Sequence, residues 1–303
     1  MSSPHPLVRA LLRTPRRAAL LAGLVGGLVF LNSLGNGFAY DDHHIILENE
    51  AVHSLQTLPD ALLSPYWPGE HGPGLGLWRP VATAAYGLEW ALWGDSPLGY
   101  HLVNIVLHGV VTALAVLLLA ELLPLAGAFA GGLLFAVHAV HVEAVANIVG
   151  LAEILAALFF LWACLLLLRG GDRLGTGRQL GILLLFGLGF LTKESAVTLP
   201  GVVFLLDSSR NSLSPGDLPS YLRRRWTLYL GMVAVAGSIL LARHAVLGTV
   251  ARPFAPMGAH LLEEIPRIWT AAASWPHLVR LLVFPADLIA DYGPDVIPVT
   301  VGG

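Results

Sequence analysis

Apolar runs about long enough to cross a bilayer recur along this chain, and they constrain it more than any other feature. A hydrocarbon core about 30 Å thick needs roughly 20 apolar residues in helical form, and only helices or closed barrels satisfy the backbone inside it. Ala18 to Leu34 is one such run, and further candidates fall at 98–119, 126–139, 144–168, 179–192, 195–207 and 226–247. Only 12% of the 303 residues are charged and 55% are hydrophobic, too little charge to cover a soluble surface of this size. The expected fold class is therefore an all-α polytopic membrane protein with about seven to eight transmembrane helices. Cys164, the single cysteine, sits in an apolar run as a small buried or lipid-facing side chain, which rules out a disulfide framework and a thiolate metal site.

Charge placement orients the helices. Arg9, Arg13, Arg16 and Arg17 precede the first run, which reads as a retained span and not a cleaved signal peptide. Alternating seven spans from a cytoplasmic N-terminus puts 1–17, 169–178 and 208–225 inside, and these hold 11 of the 17 basic residues. The segment 35–97 falls outside as a large first extracytoplasmic loop, with one arginine against eight carboxylates. Within it, 78–94 carries Trp78, Trp90 and Trp93 and is expected as an interfacial helix. The second outer loop, 248–303, contains a stretch at 266–285 that reads as an amphipathic or re-entrant helix, an eighth span being the alternative.

The polar groups that this map leaves unexplained gather on the outer side. Asp41 and Asp42 follow the first span; His138, His141 and Glu143 sit at the turn between the third and fourth; Lys193 and Glu194 sit between the fifth and sixth; Asp291 follows the 266–285 stretch. Lys193 is the only lysine, and a charge at such depth is costly unless it is paired or does chemistry. Each group has a plainer reading: a solvated turn for the aspartates, hydrogen-bonded packing for the histidines, an end-of-helix pair for Lys193 and Glu194. In the second span His101, Asn104 and His108 share a face, and interhelical hydrogen bonding is expected of the deeper two. Gly23, Gly26, Gly27, Gly131 and Gly132 are expected to allow close helix packing.

Five stretches together resemble a known family: NSLGNGFAYDDHHIILEN (32–49), RPVATAAYGLEWALWGDSPLGYHLVNIVLHG (79–109), FAVHAVHVEAVANIVGLAEILA (135–156), FLTKESAVTLPGVVFLLD (190–207) and FPADLIADYGPDVIP (284–298). They are similar, in the same order, to the membrane part of the transmembrane and tetratricopeptide-repeat-containing protein O-mannosyltransferases, which have the GT-C fold. The resemblance makes 1–303 a GT-C-like transmembrane domain. The family carries further spans and then repeats, so the chain is expected to be incomplete at its C-terminus or a short relative. It also departs from the family in having His138–Ala139 where His-Pro is usual, and Gly150–Leu151 where Gly-Arg is usual.

The resemblance implies transfer of a sugar, mannose in this family, from a polyprenyl-phosphate donor to serine or threonine of exported proteins. Asp41 or Asp42 would be the carboxylate general base that takes the acceptor's proton, with inversion at the anomeric carbon. Arg79, His138, His141 and Lys193 would hold the donor phosphate, with Glu143, Glu194 and Asp291 in support. The partners implied are the lipid-linked sugar, a Ser/Thr-containing acceptor protein and the bilayer, not nucleic acid. An alternative has a divalent metal ion bridging Asp42 and His141 with the donor phosphate; otherwise no cofactor is implied. The active face is expected to be extracytoplasmic, with a bacterial plasma membrane favoured over endoplasmic reticulum. Two other classes compete: an inactive or regulatory scaffold descended from such an enzyme, and a transporter or flippase.

Overall fold

The computed structural model describes residues 13–69, 76–171, 174–250, 264–286, 288 and 289, and every regular element among them is helical. In chain order these are α1 (Pro15–Val29), α2 (Leu58–Leu62), α3 (Pro80–Trp93), α4 (Pro97–Leu119), α5 (Leu125–Val137), α6 (Val142–Ala146), α7 (Leu151–Leu168), α8 (Thr176–Thr192), α9 (Leu199–Asn211), α10 (Leu218–Leu247) and α11 (Glu264–Val283). Proline in the first turn starts several of them, where its missing N–H costs nothing. Thr14 completes the start of α1 by accepting the Arg17 N–H at 3.3 Å.

Four stretches are helical, long and apolar enough to cross a membrane: Pro15–Gly35, Pro97–Leu119, Ile148–Leu168 and Pro215–Leu247. A fifth qualifies if Leu125–Val137 and Ala139–Ala146, bent by 47°, count as one broken span. The shorter α8, with 17 residues, and α9, with 13, lie where two further spans were expected. The chain is thus an all-α integral membrane protein. At α3, 14 residues reach about 21 Å, too short to cross.

Packing follows the order of the spans. α1 lies against α4 and α5, α4 against α7, α7 against α8, and α8 against α10. Gly23 and Gly109 let α1 and α4 approach closely: a Cβ on Gly23 would stand 2.6 Å from the Gly109 carbonyl oxygen, and one on Gly109 would stand 2.8 Å from that of Gly23. The expected hydrogen bonds of the α4 face are present. Asn104 donates to the carbonyls of Asn147 and Ile148 at 3.0 and 3.1 Å, and the His108 Nε2 lies 3.2 Å from the Ala136 carbonyl.

Two clusters of buried side chains hold the helices and the first outer loop together. Ala163, Cys164, Leu167, Ile182, Phe186, Leu228 and Met232 tie α7, α8 and α10 to one another. Ile45, Ile46, Tyr66, Tyr86, Tyr100, Ile148 and Leu151 fasten the first outer loop onto α3, α4 and the start of α7. Trp78 belongs to this packed loop: it is buried, and its indole N–H donates to the Leu62 carbonyl at 2.9 Å. The loop folds back on itself and supplies the indole a partner.

Candidate functional site

The segment after α1 separates the two aspartates. Tyr40 adopts φ of +48°, a left-handed conformation costly for a side chain with a Cβ. Beyond it a widened turn closes with the Glu48 N–H donating to the His43 carbonyl at 2.8 Å. This geometry sends neighbouring carboxyls in opposite directions. Asp42 is buried, its Oδ2 accepting the Ala39 N–H and its Oδ1 the Val149 N–H, both at 2.9 Å. Asp41 is exposed. Its pKa is raised, because lost hydration outweighs the pull of His44 and Arg79 while Glu153 pushes it further up. Burial raises Asp42 as well, against the opposing effect of its backbone hydrogen bonds.

The turn that receives Asp42 is held from three sides. Asn104 binds the carbonyls of Asn147 and Ile148, the Tyr86 hydroxyl donates to the Val149 carbonyl at 2.9 Å, and Asp42 takes the Val149 N–H. Gly150 ends the turn under α6, where a Cβ would stand 2.2 Å from the Ala144 carbonyl oxygen. The Tyr86 hydroxyl also meets the Tyr66 hydroxyl at 3.1 Å, and the Arg79 guanidinium lies over the Tyr66 ring, 4.9 Å from its centre.

Cations and carboxylates from four elements meet beyond this platform. Arg79 donates through Nε (3.1 Å) and Nη2 (2.9 Å) to Glu194 Oε2, and the Arg243 Nη1 reaches Glu194 Oε1 at 3.3 Å. The Arg243 Nη2 donates to the Gly76 carbonyl, and Lys193 pairs with Glu153 at the start of α7. Burial pushes the Glu194 carboxyl up, but Arg79, its hydrogen bonds and Arg243 together hold it below the usual range. Asp41, Arg79, Lys193 and Glu194 therefore belong to one neighbourhood, with Lys193 and Glu194 pairing to other partners and not to each other.

The remaining expected residues lie apart from these contacts or outside the described residues. His138 accepts the Val140 N–H on Nδ1 at 3.2 Å, so its Nε2 carries the proton donated to the Leu282 carbonyl of α11 at 3.0 Å. His141 packs its ring 4.4 Å from Phe135 and 5.3 Å from His108. Glu143 is exposed in the first turn of α6, and Asp291 lies outside the described residues. Among the described residues no three His, Cys, Asp or Glu side chains gather as a metal site, and Asp42 and His141 are each engaged elsewhere.

Sequence reasoning missed Tyr66, Tyr86, Glu153 and Arg243 as members of this neighbourhood. Glu153 and Arg243 carried a signal, being charges near the outer ends of otherwise apolar helices. The tyrosines carried none, since an aromatic in an outer loop reads as packing. Glu89 of α3 is another surprise: it is buried with neither carboxyl oxygen hydrogen-bonded, and burial pushes its pKa up to about 8.

The chain is similar to curated proteins over most of its length. The chain is 30% identical to Protein O-mannosyl-transferase Tmtc1 of Drosophila melanogaster over 91% of its length, covering 35% of that relative. It is 33% identical to Protein O-mannosyl-transferase Tmtc2 of the same organism over 89% of its length, covering 30% of that relative. Against Protein O-mannosyl-transferase TMTC2 of Mus musculus it is 34% identical over 63% of its length and 24% of the relative. No family model matches the chain, and no solved structure does. The chain spans about a third of the length of the curated fly relatives it matches. Similarity at 30% and 33% identity that runs through nearly all of its residues supports the chain's place in the transmembrane protein O-mannosyltransferase family.

Proposed function

We propose that this chain transfers a mannosyl group from a polyprenyl-phosphate donor to the hydroxyl of a serine or threonine in an exported protein, with Asp41 as general base. One observation carries the reading: of the adjacent aspartates, only Asp41 is open, and it shares a neighbourhood with Arg79 and the Lys193–Glu153 pair. The acceptor hydroxyl loses its proton to Asp41 as its oxygen attacks the anomeric carbon, and the carbon–oxygen bond to the lipid phosphate breaks. A single displacement of this kind inverts the anomeric centre. The departing phosphate needs positive charge and N–H donors, not a strong acid, and in this reading Arg79 and Lys193 supply them.

A lipid-linked phosphate rests at headgroup level, where outer helix ends lie, and exported polypeptide arrives from the same side. A cavity of about 290 Å³ in the first outer loop, lined by Asn49, Ser64, Trp67 and Thr83, offers room for such a segment. Trp67 connects it to the site, its ring 6.1 Å from that of His44. The preference for a bacterial plasma membrane gains no support from the relatives, which are animal proteins.

One observation favours the scaffold reading instead: Arg79, Lys193 and Arg243 already have internal carboxylates as partners. Transfer of labelled mannose from polyprenyl-phosphate-mannose to a Ser/Thr peptide separates the two. Asp41→Asn is expected to lower turnover by about 10² to 10⁴-fold with the folded yield intact. Equal transfer by wild type and Asp41→Asn would remove Asp41 from the role, and no transfer with any sugar or a longer chain would favour the scaffold.

A further inference from the structure

We propose that Arg243 is a second guanidinium of the donor-anion site, and that Glu194 is the positioning residue that holds it beside Arg79. The proposal rests on the transferase reading and assigns a residue of α10 to it. Glu194 takes three N–H groups, two from Arg79 on one oxygen and one from Arg243 on the other. These residues come from the start of α3, the turn before α9 and the outer end of α10, so one carboxylate gathers three distant segments.

The Glu194 carboxylate is shared, unlike that of an isolated structural pair. Two guanidiniums share one carboxylate, with side-chain exposures of 15% for Arg79 and 13% for Arg243. A lone buried pair already struggles to offset its desolvation, and a second cation on the same carboxylate adds repulsion, with Asp41 and Glu153 acting on Arg79 only through space and not bonded to either guanidinium. Arg243 also keeps a donor in reserve: its Nε is buried and has no hydrogen-bond partner, while its Nη1 and Nη2 go to Glu194 and Gly76. Two guanidiniums gathered at one point, one with an unspent N–H, are the complement of a phosphate ester, which brings negative charge and several acceptor oxygens together. Glu194 offsets the repulsion between the guanidiniums before the anion arrives, so the seat is formed in advance.

The test measures binding of polyprenyl phosphate without sugar, and of uncharged polyprenol, to the full chain in membranes, alongside mannosyl transfer. Arg243→Gln is expected to weaken polyprenyl-phosphate binding roughly tenfold and leave polyprenol binding unchanged. In transfer it is expected to raise the donor KM more than it lowers kcat. Arg243→Lys keeps the charge but loses the planar fork, and is expected to fall between Gln and wild type. Should Arg243→Gln fail to fold, the lysine variant decides. Glu194→Gln is expected to weaken the same binding, because the guanidiniums then lose their shared anchor. Wild-type affinity for polyprenyl phosphate in folded Arg243→Gln or Arg243→Lys would overturn the proposal. Wild type that binds polyprenyl phosphate yet transfers nothing would sink the transferase reading and leave the anion seat standing.

Discussion

Adjacent aspartates of one loop stand in opposite surroundings, Asp42 buried and Asp41 exposed. Asp42 spends both oxygens on backbone N–H groups, so Asp42→Asn turns one acceptor into a donor aimed at a donor. That change should cost about 1–3 kcal/mol, seen as a lower thermal midpoint in detergent, whereas Asp41→Asn should leave the midpoint in place. The raised pKa of Asp41 sets a pH dependence of its own. A base works deprotonated, so transfer should rise with pH through a limb lying above the ordinary carboxylate value of 3.8. Arg79 pulls that pKa down, and Arg79→Gln should move the limb to higher pH in a kcat/KM profile. Glu89 works in the reverse sense. Its folded pKa near 8 exceeds the ordinary 4.5, so the folded state holds a proton that the unfolded chain releases, and stability falls as pH climbs from 4.5 through 8. Glu89→Gln should flatten that fall in thermal unfolding across the same window. The sequence marked the aspartate pair as a place of interest. It could not separate its members, because the side to which each carboxyl turns depends on Tyr40 and on a backbone amide at Val149.

At the level of helices, the apolar runs located the elements well, since length and composition suffice for a segment whose solvent is lipid. The expected run at 98–119 is the helix Pro97–Leu119, and 226–247 lies within Leu218–Leu247. Less legible were the short pieces at the outer ends, such as the bend between Leu125–Val137 and Ala139–Ala146. There the side chains of α4 satisfy backbone groups that an unbroken helix would have paired internally, and hydropathy does not register this. Close packing of α1 on α4 depends on the facing glycines. Gly23→Val puts new atoms against the Gly109 carbonyl and should lower the thermal midpoint by an amount equivalent to about 1–3 kcal/mol. Gly35→Val, where the added Cβ meets nothing, is the control expected to leave the midpoint near that of wild type.

Across the whole molecule, charge is divided between two ends. The end expected to be cytoplasmic has its own set: Arg225 donates to Asp207 at 2.8 and 3.2 Å and to the Gly171 carbonyl at 3.0 Å, and Arg169 reaches Glu121 at 2.8 Å. These groups bind helix ends to one another. The outer end is different, because its ion pairs surround an open carboxylate and leave a guanidinium N–H unspent. That contrast is invisible in the amino-acid order, where both ends look like charges flanking apolar runs. It emerges only when Arg79, Glu194 and Arg243 are brought together from positions far apart in the chain.

The Asp42–Val149 hydrogen bond, spanning 107 residues, also has a history in time. A chain made at about 5–20 residues per second leaves Asp42 waiting several seconds for its partner amide to be synthesised. The arginine at 243 comes later still, after α10 has almost been completed. A ribosome-bound chain that stops short of Arg243 therefore holds Arg79 and Glu194 without the second guanidinium that Glu194 gathers in the finished fold.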